Sequence, residues 1–369
     1  MSDMGLLEAN GSGNPEEDSL EAAALTATLP VKEISAENLF QNNDQLCALT
    51  SSKSFIGHTG CAAGLFSLAR AAVSLYQRIL PRYPLLKSPL PELKKREDFF
   101  FTPSEPQFWL RNRIQGPRTA GVSSFTIDGN YYHVVLQAFE NEEQLSTDTR
   151  EIVEKSRVFP AGEPEESLFI IGGINVCDTR ERLSALRNMA DRPTQELARE
   201  YWQHYAPGND AKSFASIVAD SPATLRRRIE IALNHLYNNE GQPLPANPDI
   251  QDRVFYNPRP NAEQGKITFA FPGSGNHFLG MGTALGLTWP EHLRRLDEEY
   301  ELLAAQFAPR LTVPWRLSYA EGWQEDAMRR LLADHNSLVF SHVSCCALVS
   351  DIVRSFGIEP QIIMGYSLG

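Results

Sequence analysis

The sequence Gly365-Tyr366-Ser367-Leu368-Gly369 constrains this chain more than any other feature. It is a G-x-S-x-G motif that follows an apolar segment, and such a motif is typical of a serine held on a tight turn between a strand and a helix. The glycines allow the turn to be sharp and the backbone to approach a substrate. The motif therefore predicts an α/β domain in which Ser367 is either a nucleophile or an ordinary turn residue, since a bare G-x-S-x-G also arises by chance.

A serine hydroxyl at neutral pH needs a base within hydrogen-bond reach and N–H donors for the developing oxyanion. We expect the Leu368 N–H to be one of these donors. The residues that would supply the base do not follow Ser367 in this sequence. We therefore interpret the chain as a piece of a larger enzyme, cut at both ends and catalytically inert by itself.

Length and charge narrow the class of protein. A chain of 369 residues predicts roughly two or three domains. Its net charge of -12 argues against nucleic acid and anionic membranes as partners.

The five cysteines lack metal-ligand spacing, which predicts no bound metal and a reducing compartment. We recognise no signal peptide and no apolar run of about 20 residues, so we expect a cytoplasmic protein.

Three segments follow from the pattern of elements and breakers, and we predict domains at 1–140, 141–265 and 266–369. In the first, a strand near Gly5 leads to a glycine-rich loop, and the apolar run Tyr131–Phe139 predicts an interior strand. The second holds a small α/β unit over 167–237, followed by a linker over 238–265 that is rich in proline, Asn and Gln.

The third segment opens with a predicted strand, ITFAF, that runs into the glycine-rich turn FPGSGNHFLGMG. Glycines in such a place can cradle a phosphate, supply an oxyanion donor or simply turn the chain. The turn is no P-loop, because no Gly-Lys-Ser/Thr follows it. Trp289–Phe307 predicts one amphipathic helix, and Leu338–Phe356 a buried helix closed by Gly357.

One of the eight histidines stands out. His58 lies in KSFIGHTGCAAG, between small residues at the start of a predicted helix. From the residues alone, it is either a packed histidine with satisfied hydrogen bonds or a site residue.

These motifs, in this order, resemble the ketosynthase–acyltransferase region of polyketide and fatty-acid megasynthases. Leu6–Glu21 is similar to the ketosynthase pattern V-E-A-H-G-T-G-T-x-x-G-D-P-I-E, and Lys53–Gly64 to K-S-N-I-G-H-x-x-x-A-A-G. Arg118–Leu136 is similar to the closing pattern R-x-A-G-V-S-S-F-G-F-G-G-T-N-x-H-V-V-L. Residues 167–237 resemble the linker domain between the two catalytic domains. The glycine-rich turn and GYSLG resemble the opening and the nucleophile elbow of an acyltransferase.

The resemblance implies a fold for each segment. The first would be the C-terminal part of a thiolase-like ketosynthase fold, and the second a small α/β linker domain. The third would be the N-terminal part of an acyltransferase, an α/β-hydrolase-like fold with a ferredoxin-like insertion.

Departures from the ketosynthase pattern are as informative as the matches. Asn10 replaces the first catalytic histidine, whereas His58 keeps the second. An amide can donate a hydrogen bond but cannot take a proton. Phe55 replaces the asparagine of the second motif, and residues 126–131 replace the glycine loop. The resemblance therefore implies a ketosynthase-like domain that no longer condenses and instead dimerises or scaffolds.

In the acyltransferase part, Ser274 replaces the usual glutamine, whose oxyanion role belongs to its backbone N–H. Tyr366 replaces the usual histidine, which leaves acyl selectivity open. The implied reaction moves an acyl group, malonyl for preference, from acyl-CoA through a Ser367 ester to the 4'-phosphopantetheine of an acyl carrier protein. No other cofactor is implied.

The combination of a degenerate ketosynthase with an acyltransferase most resembles the acyltransferase-bearing B subunit of bacterial polyunsaturated fatty acid synthases. A second interpretation is an ordinary polyketide synthase module whose ketosynthase has lost its active-site residues. Expected partners are the carrier protein, other synthase domains and a second copy bound through the ketosynthase-like domain. A non-catalytic scaffold and an editing acyl hydrolase remain as alternative functions.

Overall fold

The computed structural model describes residues 4–29, 46–84, 86–126, 128–140, 145–157, 166–239, 241–245, 250–258, 265–307, 315–367 and 369. The chain divides into two compact units, one formed by Met1–Ala161 with Thr268–Gly369 and the other by Gly162–Ile267. The second unit lies almost wholly within the predicted middle segment. The three-domain division stays a prediction, and each unit is described by itself.

The first part of the larger unit contains a mixed sheet. The strands of this part are β1 (Leu6–Glu8), β2 (Cys47–Thr50), β3 (Ile79–Leu80), β4 (Phe100–Phe101), β5 (Gln107–Phe108), β6 (Thr119–Phe125) and β7 (Tyr131–Gln137). β3 and β5 form a separate antiparallel pair, and the other five form the mixed sheet. The sheet has the order β4-β2-β1-β6-β7. Only β7 runs antiparallel to its neighbour, whereas the other pairings are parallel. Because β1 and β2 are parallel neighbours, the chain segments that follow them emerge at the same sheet edge.

The helices of this part are α1 (Pro15–Ala27), α2 (Lys53–Ile56), α3 (Ala63–Gln77), α4 (Pro91–Lys94) and α5 (Thr147–Arg157). The Asn14 side chain caps α1 by accepting a hydrogen bond from the Glu16 N–H, and a proline opens the helix. The buried side of α3 recurs at three- and four-residue spacing and consists mainly of small residues: Ala63, Ser67, Ala71, Ser74 and Leu75. These small side chains let α3 approach the sheet closely.

The prediction that the run Tyr131–Phe139 is an interior strand is wrong. β7 lies at the edge of the sheet, and most of its side chains are exposed on both faces. Tyr132 and Val135, for example, keep 58% and 57% of their surface exposed. An apolar run reports strand propensity, but the order of strands decides whether the strand has neighbours on both sides.

The smaller unit is an α/β layer structure. Its elements are β8 (Ser167–Gly173), α6 (Val176–Met189), α7 (Thr194–Tyr205), β9 (Ser213–Ala219), α8 (Pro222–Asn238) and β10 (Val254–Tyr256). The strands form an antiparallel sheet in the order β10-β9-β8, and the helices bury one of its faces. This is the α/β unit predicted for 167–237. The prediction of a plain linker over 238–265 is wrong at β10, which pairs with β9.

The larger unit is completed by β11 (Thr268–Phe271), α9 (Thr283–Thr288), α10 (Pro290–Glu299), α11 (Leu303–Phe307), α12 (Trp323–Ala333), α13 (His335–Ser355) and β12 (Ile362–Gly365). The single helix predicted over Trp289–Phe307 is wrong. Tyr300 adopts an extended conformation, with φ of -119° and ψ of 124°, and separates α10 from α11. The amphipathic spacing continued across this break because both short helices bury apolar residues on the same core.

α13 is, within the described ranges, the helix that is long and apolar enough to cross a membrane by length and composition. This differs from the expectation that no apolar run reaches such a length. Length and composition alone are weak grounds for a membrane span. Buried side chains recur along one face of α13, namely Leu338, Ser341, His342, Cys345, Leu348 and Ile352. The helix therefore packs on the core of this unit through that face.

Candidate functional site

Ser367 follows β12 on a strained turn. Its φ of +59° lies in the left-handed region, which non-glycine residues adopt rarely and mostly where the surroundings enforce it. β12 pairs in parallel with β11, and Phe271 lies opposite Gly365. Beyond that pair the Tyr366 N–H donates to the Phe271 carbonyl at 3.1 Å. The pairing continues to the residue before Ser367, so the turn starts from a defined register.

The motif needs glycine at positions 365 and 369 because the backbone leaves no room for a side chain there. A methyl group on Gly365 would collide with the backbone of Gly369, and one on Gly369 would collide with the backbone of Phe271. The neighbouring turn is equally tight, because a Cβ added to Gly273 would lie 2.8 Å from both the Ser367 Cβ and the Tyr366 carbonyl oxygen. The glycine-rich turn and the predicted nucleophile therefore meet.

Two side chains hold the glycine-rich turn by its carbonyl oxygens. The Nε2 of His342 lies 3.0 Å from the Pro272 oxygen, and the Nδ2 of Asn276 donates to the Gly273 oxygen at 3.0 Å. Ser274, the predicted oxyanion donor, directly follows Gly273, and its side chain is exposed. The other predicted donor, Leu368, lies outside the described residues. The structure thus brings the Ser274 segment to Ser367 and leaves both oxyanion roles as predictions.

No described residue makes a hydrogen bond to the Ser367 hydroxyl. Tyr366, beside it, keeps 79% of its surface exposed. The turn therefore presents an accessible hydroxyl and a polar backbone without a base in contact. A nucleophilic role for Ser367 would require a proton acceptor from elsewhere.

The second predicted site lies where β1 and β2 end. Asn10 is buried, and its Oδ1 accepts hydrogen bonds from the Lys53 Nζ at 3.1 Å and from the Phe125 N–H at 3.1 Å. Its backbone N–H donates to Glu21 Oε1 at 2.7 Å, and the Gly11 N–H donates to Glu21 Oε2 at 2.9 Å. The amide is thus fixed in place by two donors to the same oxygen.

Lys53 and Glu21 are site residues that the sequence reasoning missed, although both lie in the motifs that it quoted. Burial raises the pKa of the Glu21 carboxyl above its ordinary value, against the N–H donors of Gly11 and Asn10, which lower it. Burial lowers the pKa of the Lys53 ammonium, against the nearby carboxylates, which raise it. No sequence signal placed Lys53 there, because its contact with Asn10 depends on β1 and β2 being neighbours in the sheet.

His58 is exposed, and its Nδ1 accepts a hydrogen bond from the Gly60 N–H at 3.1 Å. In the part of the chain that the structure describes, no hydrogen bond joins His58 to Asn10. In the predicted replacement loop, Asn130 donates to Asp128 at 2.6 Å, while Ile127 lies outside the described residues. The two positions that resemble the ketosynthase histidines therefore differ. Asn10 is a buried amide whose oxygen accepts two hydrogen bonds, and His58 is an exposed imidazole.

A metal site has no support among the residues that the structure describes, where no group of three or more His, Cys, Asp or Glu side chains is close enough to hold an ion.

Residues 1–86 match the family model described as the C-terminal domain of beta-ketoacyl synthase. The chain is 25% identical to the PKS-NRPS hybrid synthetase acdB of Aspergillus candidus, over 100% of this chain and 13% of that protein. It is 26% identical to the spectinabilin polyketide synthase system protein NorB of Streptomyces orinoci, over 98% of this chain and 15% of that protein. The chain thus spans only a small part of these relatives.

Among solved structures, the ketosynthase from module 6 of the bacillaene synthase of Bacillus subtilis 168 is 19% identical, over 63% of this chain and 38% of that chain, with a TM-score of 0.31. So low a score adds nothing to the sequence matches. Those matches support the predicted resemblance in part: residues 1–86 are similar to a ketoacyl-synthase C-terminal domain, and the chain as a whole is similar to polyketide synthases. They do not test the acyltransferase segment, the polyunsaturated fatty acid synthase subunit or the cut ends.

Proposed function

We propose that this chain is the ketosynthase–acyltransferase region of a megasynthase, and that Ser367 carries an acyl group from coenzyme A to an acyl carrier protein. The observation that carries the proposal is the parallel pairing of β11 with β12. It sets the Gly273 turn against a serine with left-handed φ. A strained serine beside a second backbone segment is the arrangement that covalent acyl transfer needs.

The proposed reaction has two halves. In the first, the Ser367 Oγ attacks the thioester carbonyl carbon, its proton passes to a base, and the C–S bond breaks as the coenzyme A thiol takes up a proton. In the second, the pantetheine thiol of the carrier protein attacks the seryl ester and the Ser367 hydroxyl is restored. Each half passes through an oxyanion, for which the Ser274 and Leu368 N–H groups are the proposed donors.

Malonyl is the proposed acyl group, and the pathway is the synthesis of a polyketide or a polyunsaturated fatty acid. A polyketide product is supported by the relatives named above, which are polyketide synthases. A polyunsaturated fatty acid product is supported by the degenerate ketosynthase motif, which resembles the acyltransferase-bearing B subunit of bacterial polyunsaturated fatty acid synthases. We place the protein in the cytoplasm, with a carrier protein and other synthase domains as partners and with neither nucleic acid nor membrane.

The ketosynthase-like segment is proposed not to condense but to dimerise. Condensation is proposed to need a group that can give and take a proton at the position of Asn10. The Asn10 Oδ1 accepts from Lys53 and the Phe125 N–H, and its amide N–H can donate, but an amide cannot exchange a proton as imidazole does. Light scattering on the native protein tests dimerisation, and a monomer would overturn that part of the proposal.

The acyltransferase is tested by mass spectrometry of the natural full-length protein after incubation with malonyl-CoA. We expect a malonyl adduct on the peptide that carries Ser367, absent in Ser367→Ala. Ser355→Ala is the matched control, since Ser355 is an exposed serine near the end of α13, and it should keep the adduct. Purified carrier protein added afterwards should remove the adduct and gain its mass.

The other outcomes are equally decisive. Release of free acid without acylation of the carrier protein would show the editing hydrolase instead. Absence of a Ser367 adduct and of free acid, with malonyl-CoA and a panel of other acyl-CoA donors, would overturn catalysis and leave the scaffold.

A further inference from the structure

The peptide groups of the glycine-rich turn must face a fixed direction if the turn is to bind an oxyanion. In a trans peptide the C=O of one residue and the N–H of the next share a plane and point in opposite directions. The Gly273 oxygen and the Ser274 N–H belong to one such unit, and the Pro272 oxygen and the Gly273 N–H to the unit before it. A side chain that holds either carbonyl oxygen therefore also sets the direction of the N–H in the same peptide unit.

Both oxygens are held. Asn276 donates from Nδ2 to the Gly273 oxygen at 3.0 Å, from within the same turn. His342 reaches the Pro272 oxygen at 3.0 Å from α13, 70 residues away in the chain. A carbonyl oxygen only accepts, so the His342 Nε2 must carry a proton.

His342 is placed rigidly. Its exposed fraction is 3%, and it lies on the buried face of α13 beside Ser341, whose hydroxyl donates to the Phe307 oxygen at 2.8 Å. The imidazole therefore cannot turn to water as an alternative partner, and its N–H is committed to the turn. Gly275, with a φ of +106°, marks the adjacent backbone as a segment that could adopt other conformations if it were not held.

We propose that His342 and Asn276 are positioning residues for acyl transfer at Ser367. Together they orient two successive peptide units of the turn, so that the Ser274 N–H faces the oxyanion of the acylation step. The inference rests on the proposed function. Neither side chain reacts with the acyl group, and both act through the backbone that they hold.

The test compares variants of the full-length protein in single-turnover acylation by malonyl-CoA. His342→Phe keeps an aromatic ring and loses the donor, whereas His342→Gln keeps an N–H donor. We expect His342→Phe to slow acylation at saturating donor by about 10- to 100-fold, with the half-saturating donor concentration changed by less than about threefold, because the turn contacts the transition state rather than the bound donor. His342→Gln should recover most of the rate.

A structural role would give a different pattern. Ser341→Ala is the matched control, because it removes a buried hydrogen bond from the same face of α13 without touching the turn. If His342→Phe lowers the melting temperature like Ser341→Ala but acylates at the wild-type rate, the inference is overturned. It is also overturned if His342→Gln acylates as slowly as His342→Phe.

Asn276 offers a second, independent variant, since its side chain is exposed and Asn276→Ala should fold. If both residues orient one turn, the double variant His342→Phe/Asn276→Ala should lose less rate than the product of the two single losses. Strict multiplication of the two losses would show that they act on separate features and would overturn the joint role.

Failure of the inference and failure of the proposed function give different results. Labelling of Ser367 by a fluorophosphonate, in which the serine oxygen bonds to phosphorus and fluoride leaves, provides a readout without coenzyme A. Labelled wild type that takes no acyl group would overturn acyl transfer only, and slower labelling of His342→Phe would still support the positioning role. Wild-type protein that neither labels nor acylates would overturn both.

Discussion

The Nη2 of Arg118 donates to the Oδ2 of Asp297 at 2.7 Å, and the side chains expose 0% and 2% of their surface. Arg78 reaches the same oxygen at 3.3 Å, and Arg118 also binds Glu140 at 2.9 Å. One buried carboxylate on α10 thus accepts from two guanidinium groups that lie more than 170 positions earlier in the chain. This ion cluster ties the last third of the chain to the ketosynthase-like part.

Replacing Asp297 with alanine should destabilise the larger unit strongly. It would leave two buried guanidinium groups without their shared carboxylate, and removing one partner of a buried ion pair costs about 3–5 kcal/mol. Urea denaturation measures the loss. Arg295→Ala is the control from the same helix, because its pair with Asp351 is partly exposed, at 52% and 32% of the side-chain surfaces, and should contribute less than about 1 kcal/mol. Equal losses in the two variants would contradict the prediction.

Gly273→Ala should slow acylation of Ser367 by about 100-fold without unfolding the chain. The added Cβ would lie 2.8 Å from the Ser367 Cβ and from the Tyr366 carbonyl oxygen, so the turn and the elbow must separate. A displacement of about 1 Å at a reacting centre costs on the order of 100-fold in rate. Rapid-quench acylation assays measure it. Gly241→Ala, which meets nothing within 4 Å, should acylate normally, and a wild-type rate in Gly273→Ala would refute the contact.

Asn10→Leu should lower stability and leave acylation at Ser367 unchanged. Leucine fills a similar volume, but the partly buried Phe125 N–H loses its acceptor, and Lys53 keeps only the Asn10 backbone oxygen. An unpaired buried polar group costs about 1–3 kcal/mol. Asn10→Asp keeps an oxygen towards Lys53 and should lose less. Denaturation midpoints and acylation rates of the three proteins provide the check, and a stabilised Asn10→Leu would show that the amide bonds contribute nothing.

Glu21 should make the protein lose stability as the pH rises above the ordinary carboxyl pKa of 4.5. Burial raises the pKa of Glu21 in the folded state, so the folded chain binds this proton more tightly than the unfolded chain does. The contribution is complete below pH 4.5 and is lost as the pH rises through the folded pKa. The buried Glu8 carboxyl, whose pKa burial also raises, acts in the same direction.

Glu21→Gln removes this titration and keeps the shape of the side chain. The variant should therefore show a flatter dependence of the urea midpoint on pH from 4.5 to 7 than the wild type. Glu17→Gln, on an exposed position of the same helix, should keep the wild-type slope. Parallel curves for wild type and Glu21→Gln would rule out Glu21 as the source.

Local features of the fold were predictable from the sequence. Strand β11 and helix α13 follow from β-propensity and apolar periodicity, which act over a few residues. The break at Tyr300 was missed because apolar spacing continues across it. The edge position of β7 was missed because strand order depends on the whole sheet. Lys53 and Glu21 were quoted within motifs, but the contact of Lys53 with Asn10 requires β1 and β2 to be neighbours. The contact of Glu21 with Asn10 and Gly11 requires α1 to pack back on the loop that follows β1.

By itself, the sequence determined that Ser367 follows a strand on a turn closed by Gly365 and Gly369, because backbone freedom is a property of the residues themselves. It also contains the motifs that resemble a ketosynthase, with Asn10 where that pattern has a histidine. Only the tertiary structure decided that Phe271 pairs with Gly365 and that His342 holds the Pro272 carbonyl from 70 residues away. Strand register and helix packing arise from contacts between distant segments, and no local spacing encodes them.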